Sequence, residues 1–437
     1  MEPRRKTPEL ARAIRIPQAT AMVAGTIIGA SIFVQPSEIT GKVPTLGGAT
    51  LVWIAAGLLT FLGCRVCATC AIRFPGSGGV YTFLCRLFSP VLGFLWGWAM
   101  FWTMHSGIIA AIAVIFARYF SYFVPLDTQG LNLVAVAAIL ALTGINCLGV
   151  RPASNLQTFF TAGKIGAILL IIGVGLLWGS RAESLPAEGI EQTYGVSGFM
   201  QALVGGLFAF GGWHMVTYNA GETVQPSRTI PRALLLGVLL VTVCYVALNA
   251  IYFYLLPLES VIGSNRVAAD AADAVLGGGG GAVMSALVVF STFGALIGIV
   301  LAGPRVYFAM ARDGLLFSWL GAVHPVYRTP YRAILLQGAW ASVLVVTGSY
   351  RTLFTRVIYT EWIFFGLLAV GLLLAVRRLE VANPGKFELA AWIVFALASF
   401  AIVINQIATD PSESLLGLAF VLVGLPVYSL WKRFKKV

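Results

Sequence analysis

Charge is scarce in this sequence. Asp, Glu, Lys and Arg make up 11% of its 437 residues, where a soluble domain carries about 25%. With 59% of residues hydrophobic, a water-soluble shape could not hide the apolar surface. That excludes a soluble enzyme, a disordered regulator and a nucleic-acid-binding module as the main body. Histidine is rarer still, at three residues, and there is no HExxH, no Gly-x-Ser-x-Gly and no dense Asp/Glu/His cluster in an apolar stretch. The chain therefore does not read as a membrane enzyme, and no cofactor is implied. The glycine run 277–281 lacks a following Gly-Lys-Ser/Thr, so it reads as an outer loop rather than an ATP-binding phosphate loop. Before it, Asn265–Leu276 reads as a short lid helix. None of the six cysteines falls in an outer segment, so no extracellular disulfide is expected. Cys64, Cys67 and Cys70 recur every three residues, which in an apolar span reads as small-residue packing rather than a zinc site.

Long apolar runs are abundant. A bilayer-crossing helix needs roughly 20 residues. Runs of sufficient length lie near 18–41, 47–72, 91–122, 131–149, 157–178, 198–222, 233–256, 283–311, 332–349, 354–376, 387–407 and 414–431, predicting an all-α integral membrane protein of 12 spans. The basic residues assign the sides. Of 29, five occupy outer segments (Lys42, Arg181, Arg266, Arg351, Arg356) and four lie within spans (Arg65, Arg118, Lys164, Arg305). The other twenty gather on the opposite face with both chain ends, a positive-inside pattern that predicts cytoplasmic termini and an inner or plasma membrane location. The net charge of +12 is therefore a topology signal. The expected organisation is an arm over 1–17, five helices over 18–178, five more over 198–376, two over 387–431 and a tail over 432–437.

Two spans contain sequences that disfavour a continuous helix. Span 1 holds Gly25-Thr26-Ile27-Ile28-Gly29-Ala30-Ser31, and span 6 holds Phe208-Ala209-Phe210-Gly211-Gly212-Trp213-His214. Glycine costs a helix about 1 kcal/mol relative to alanine, and β-branched residues between glycines add no helical preference. The two segments occupy matching places in two five-span halves, as in inverted repeats with helices broken at mid-membrane. Freed backbone groups in hydrocarbon need partners. An α-amino acid supplies them, its carboxylate suiting exposed N–H groups at a half-helix start and its ammonium suiting freed carbonyls.

These residues resemble the amino acid–polyamine–organocation (APC) transporters, and within them the L-type amino acid transporters. Span 1 reads GTIIGASIFVQP (Gly25–Pro36); PGSGGVY (Pro75–Tyr81) follows span 2. Span 5 carries TAGK (Thr161–Lys164), and span 6 FAFGGW (Phe208–Trp213). Glu222–Pro231 fits E-x-x-x-P-x-R-x-I-P, span 7 has Tyr245, Asn249 and Tyr252, and Ala311–Gly314 is ARDG. The resemblance implies a LeuT-like fold of five plus five inverted spans and two more, working by alternating access. It places the substrate carboxylate against N–H groups of Ile28, Gly29, Ala30 and Ser31. The ammonium would meet carbonyls of Thr26 and Ile27 and of Phe208, Ala209 and Phe210, beside Gly211. Trp213 is implied as an outer gate, Tyr245 as a further contact, and Lys164 as the ammonium that replaces a sodium ion of sodium-coupled relatives.

The sequence departs from the family pattern at Ser31 (usually Gly), Thr69 (an acid), Val80 (an acid) and His214 (Asn). The segment near Asp127 lacks the cysteine that would tie a heavy-chain subunit, so no disulfide-linked partner is expected. Among charges in or near spans, Glu222 is expected to face Arg228 or Arg232 across the following loop, either as a cytoplasmic gate pair or as a simple interfacial charge. Arg65 and Arg305 are expected to reach the inner surface or helix ends, and Glu361 either to titrate during transport or to form a surface pair with Arg356. His105 reads as a packing histidine, while His214 adjoins the gate. The rim residues Ser31, Phe210, Trp213 and His214 include no acid, which favours neutral substrates over cationic ones. The resulting expectation is a sodium-independent exchanger of small or medium neutral L-amino acids. Proton symport and a non-transporting sensor of the same fold are the alternatives.

Overall fold

The computed structural model describes residues 10–29, 31–179, 194–264, 267–277, 279–347, 350–378, 384–409 and 411–434. The described residues are helical apart from turns and one isolated backbone bridge between Ile14 and Thr223. Each expected apolar run coincides with a helix or an interrupted pair of helices. Nine described helices meet the length and apolarity a bilayer crossing needs, and Tyr331–Thr347 is a shorter apolar one. Large apolar side chains project outward along the helices, as at Leu133, Leu140 and Leu170. Apolar surface on that scale fits lipid as the solvent.

Local chemistry sets the helix starts. The Thr45 hydroxyl accepts from the Gly48 N–H at 3.1 Å and opens Leu46–Arg73. The Asp127 carboxylate accepts from Gly130 N–H at 2.8 Å and opens Thr128–Cys147. Proline stands in the first turn of Pro226–Leu255, where its missing donor costs nothing. The expected short helix is present as Val267–Leu276; Asn265 and Arg266 lie outside the described residues.

Spans 1 and 6 are both interrupted. Helix Ile16–Ile27 gives way to a bend at Ile28 and Gly29, and helix resumes as Ser31–Lys42. Helix Val196–Ala209 ends at Phe210, and a tighter 3₁₀ stretch, Trp213–Glu222, follows the bend. Gly212 adopts φ 90°, a left-handed conformation open to glycine at little steric cost. Helix Ile16–Ile27 packs against spans 5, 7 and 8 and against Trp213–Glu222, so the two breaks face each other inside the bundle. Span 3 also changes gait: Pro90–Ala99 passes through a π turn, Met100–Met104, into His105–Phe120.

Candidate functional site

The freed carbonyls of the two breaks are met by side chains from three other helices. Lys164 is buried, and its Nζ donates to Gly25 O at 3.0 Å and Ile28 O at 2.6 Å. The Tyr245 hydroxyl reaches Ile27 O at 2.9 Å and Ala209 O at 3.2 Å, bridging both breaks. The Ser291 hydroxyl donates to Gly29 O at 3.2 Å, and that of Thr161 to Ala21 O at 3.1 Å. Thr26 Oγ1 lies 2.7 Å from Met22 O in its own helix and 3.2 Å from Gly212 O across the gap. An unpaired carbonyl in hydrocarbon costs several kcal/mol, so this lattice makes the breaks tolerable. Close approach is built in as well: a Cβ at Gly25 would run into the Thr161 hydroxyl.

Between the breaks lies a cavity of about 40 Å³, enough for a few waters and too small for an amino acid. Thr26, Ile27, Gly29 and Ser31 of span 1 form one wall, and Phe208, Gly211, Gly212 and Trp213 of span 6 another. The remaining sides come from Ile108 and Ile112 of span 3, Ile299 of span 8, and Glu361, Trp362 and Phe365 of span 10. Ile28 and Ala209 are buried beside the breaks and present carbonyls to Lys164 and Tyr245. Ala30 lies outside the described residues.

Phe210 and His214 do not line this cavity. Phe210 packs edge-on against Tyr245, with ring centroids 5.2 Å apart. His214 sits among Trp96, Trp213, Tyr218 and Phe365, with centroids 4.8 to 5.8 Å away. His105, in the same region, places Nε2 2.7 Å from Ile299 O.

The placements of Glu222, Arg305 and Glu361 differ from the sequence expectation, while that of Arg65, at a helix end, agrees with it. Glu222 does not face Arg228 or Arg232; it forms a two-pronged pair with Arg305, with Nε and Nη2 each 2.7 Å from a carboxylate oxygen and both side chains fully buried. Arg305 therefore does not reach for the surface, and its Nη1 donates to Leu301 O at 2.6 Å. Arg65 pairs with Glu388 in the first turn of Lys386–Thr409. Glu361, with a surface pair as one expectation, is 7% exposed and lines the central cavity. The premise that the pocket contains no acid is thereby corrected.

A second and larger cavity, about 990 Å³, opens at the end of the bundle where basic residues gather. Arg12, Arg86, Arg312 and Lys432 line it, with Asp313, whose carboxylate accepts from the Tyr81 hydroxyl at 2.7 Å. Cys85 also lines it, and burial pushes its thiol up to about 11.

A helical membrane bundle with two facing backbone breaks around an enclosed cavity is the architecture of a secondary transporter. The family model described as amino acid permease matches residues 14–425, and the chain belongs to that family. It is 32% identical to the "Large neutral amino acids transporter small subunit 2" of Oryctolagus cuniculus, over 96% of this chain and 80% of the relative. The "b(0,+)-type amino acid transporter 1" of Mus musculus is 29% identical over 98% and 90%, and the "Asc-type amino acid transporter 1" of Mus musculus 30% over 96% and 81%. Amino acid transport, rather than enzymatic chemistry, is the activity these similarities support.

Proposed function

We propose that this protein is a sodium-independent exchanger of small or medium neutral L-amino acids, carrying them by alternating access across twelve spans with both termini cytoplasmic. The observation that carries the reading is Lys164. Its Nζ donates to two carbonyls of the span 1 break, so a lysine nitrogen already stands among oxygens that a sodium ion would otherwise need to bridge. The substrate carboxylate is assigned to the N–H groups opening helix Ser31–Lys42, which lack intrahelical acceptors. The ammonium is assigned to carbonyls flanking the cavity. Trp213 and the Glu222–Arg305 pair act as barriers on either side, and the chain works without a disulfide-linked heavy subunit. The cavity of about 40 Å³ is a closed state, and it must enlarge before substrate enters.

Proteoliposomes test the reading. Labelled alanine or leucine should enter vesicles loaded with unlabelled amino acid, at the same rate when choline replaces sodium, and should not accumulate in empty vesicles. A strict sodium requirement would overturn it. Proton symport is a second reading, favoured by one observation: a buried carboxyl, Glu361, lines the cavity. Equal uptake into empty vesicles under a pH gradient would establish symport instead.

A further inference from the structure

Glu361 has no role in the lattice that holds the breaks. Among the described residues it makes no salt bridge and no hydrogen bond, although it is 7% exposed. Its helix, Tyr350–Arg377, packs on span 3 and on Lys386–Thr409, and Glu361 lines the cavity with Ile108, Ile112 and Phe365. Across the cavity are Thr26, Gly29 and Ser31. The titratable groups in this region are His214 and Tyr218 of span 6, His105 of span 3, Tyr307 of span 8 and Cys67 of span 2. None is a permanent cation. Lys164, the one lysine in the interior of the described bundle, faces carbonyls on the other side of the span 1 break. A carboxyl walled by aromatic and aliphatic groups needs a proton or a counter-charge; among the described residues none is paired with it, and Arg65, on a helix that also packs here, is taken by Glu388.

We infer that Glu361 is a specificity-determining residue that extends the substrate range to amino acids whose side chain ends in an ammonium or guanidinium group. This rests on the transport reading above. A substrate anchored by its α-carboxylate and α-ammonium at the breaks has its side chain directed to the remaining walls, and Glu361 is the only ionisable group among the residues that line them. With a cationic substrate the carboxyl is ionised and accepts a charge-assisted hydrogen bond. With a neutral substrate it carries a proton. The pocket then holds the same net charge in both loaded states.

The test compares wild type, Glu361→Gln and Glu361→Asp in proteoliposomes. Lysine, ornithine and arginine compete against labelled leucine, with norleucine and citrulline as uncharged matches. Wild type should bind the cationic members at least about tenfold better than the Gln variant does, the range expected for loss of a hydrogen bond to a charged group. Competition by lysine should fall by a larger factor than leucine exchange does in that variant, and the Asp variant should keep part of the preference. Raising the pH from 5.5 to 8 should strengthen competition by lysine in wild type, because the ionised carboxylate is the cation-binding form, and should leave the Gln variant flat. Thermal shifts of purified protein with each ligand provide a readout independent of turnover. An unchanged lysine-to-norleucine ratio in the Gln variant would overturn the inference, as would equal losses for both ligands. Absence of leucine exchange in wild type would overturn the transport reading, and this inference with it.

Discussion

The Glu222–Arg305 pair offers the sharpest quantitative test. Both side chains are fully buried and joined by two bonds of 2.7 Å. Removing one member of a buried pair leaves the other charge uncompensated, at a cost of about 3–5 kcal/mol. Glu222→Gln keeps the shape and strands the guanidinium; Arg305→Met keeps the stem and strands the carboxylate. If the two losses were independent, the double variant would lose about 6–10 kcal/mol. It contains no buried charge, however, so its loss should be only about 1–3 kcal/mol. The coupling energy should then be at least about 3 kcal/mol, read from equilibrium unfolding of the four proteins in one detergent. Exchange measured on the same proteins separates a gate from a tie. Restored stability with restored flux marks the pair as structural, and restored stability with leak in empty vesicles marks it as a gate. Additive single losses, or losses below about 1 kcal/mol, would refute the burial reasoning.

The remaining predictions concern the lattice and the vestibule. Lys164→Met should abolish exchange, at least about a hundredfold, because two carbonyls lose a charge-assisted donor; normal flux would remove Lys164 from the cycle. Tyr245→Phe deletes one hydroxyl shared by both breaks and should destabilise the fold by about 1–2 kcal/mol, checked by thermal unfolding. Gly212→Ala puts a Cβ 3.2 Å from Thr26 Cβ at φ 90° and should weaken amino acid binding in a thermal-shift assay. The Cys85 thiol, raised to about 11 by burial, is about 0.1% thiolate at pH 8. Maleimide labelling there should be slow and climb about tenfold per pH unit below 11. Fast, pH-insensitive labelling at pH 7 would contradict the burial.

How much was legible in the sequence differs by residue. The breaks were legible because Gly25, Gly29, Gly211 and Gly212 disturb otherwise uniform apolar runs, a local signal. Lys164 was legible because a lone charge in a span has few explanations. Arg305 and Glu222 were not matched because 83 residues separate them, whereas Arg228 and Arg232 stand close along the chain. The same proximity suggests Arg356 as a surface partner for Glu361. Five residues along a helix rotate a side chain by about 140°, so two neighbours in sequence need not share a face. The face Glu361 occupies is set by packing on span 3, which no local pattern encodes. Phe210 and His214 missed the cavity for a related reason. The bend at Gly211 and Gly212 and the tighter 3₁₀ winding after it change the rotation per residue, so a face counted along an ideal helix drifts.

The isolated bridge at Ile14 and Thr223 has a mechanical consequence. The Ala13 and Ile14 N–H groups donate to Glu222 O at 2.9 and 3.0 Å, and Val224 N–H donates to Ile14 O at 2.8 Å. The first half of span 1, Ile16–Ile27, begins two residues after Ile14, and the second half of span 6, Trp213–Glu222, ends at Glu222. Each half has its own hinge at its break, yet their free ends are pinned together. Two levers hinged at separate bases and joined at the tip form a triangle, which can move only as a whole about the line through the two bases: neither can swing alone. A covalent strap across 14 and 223 should therefore leave the cycle running.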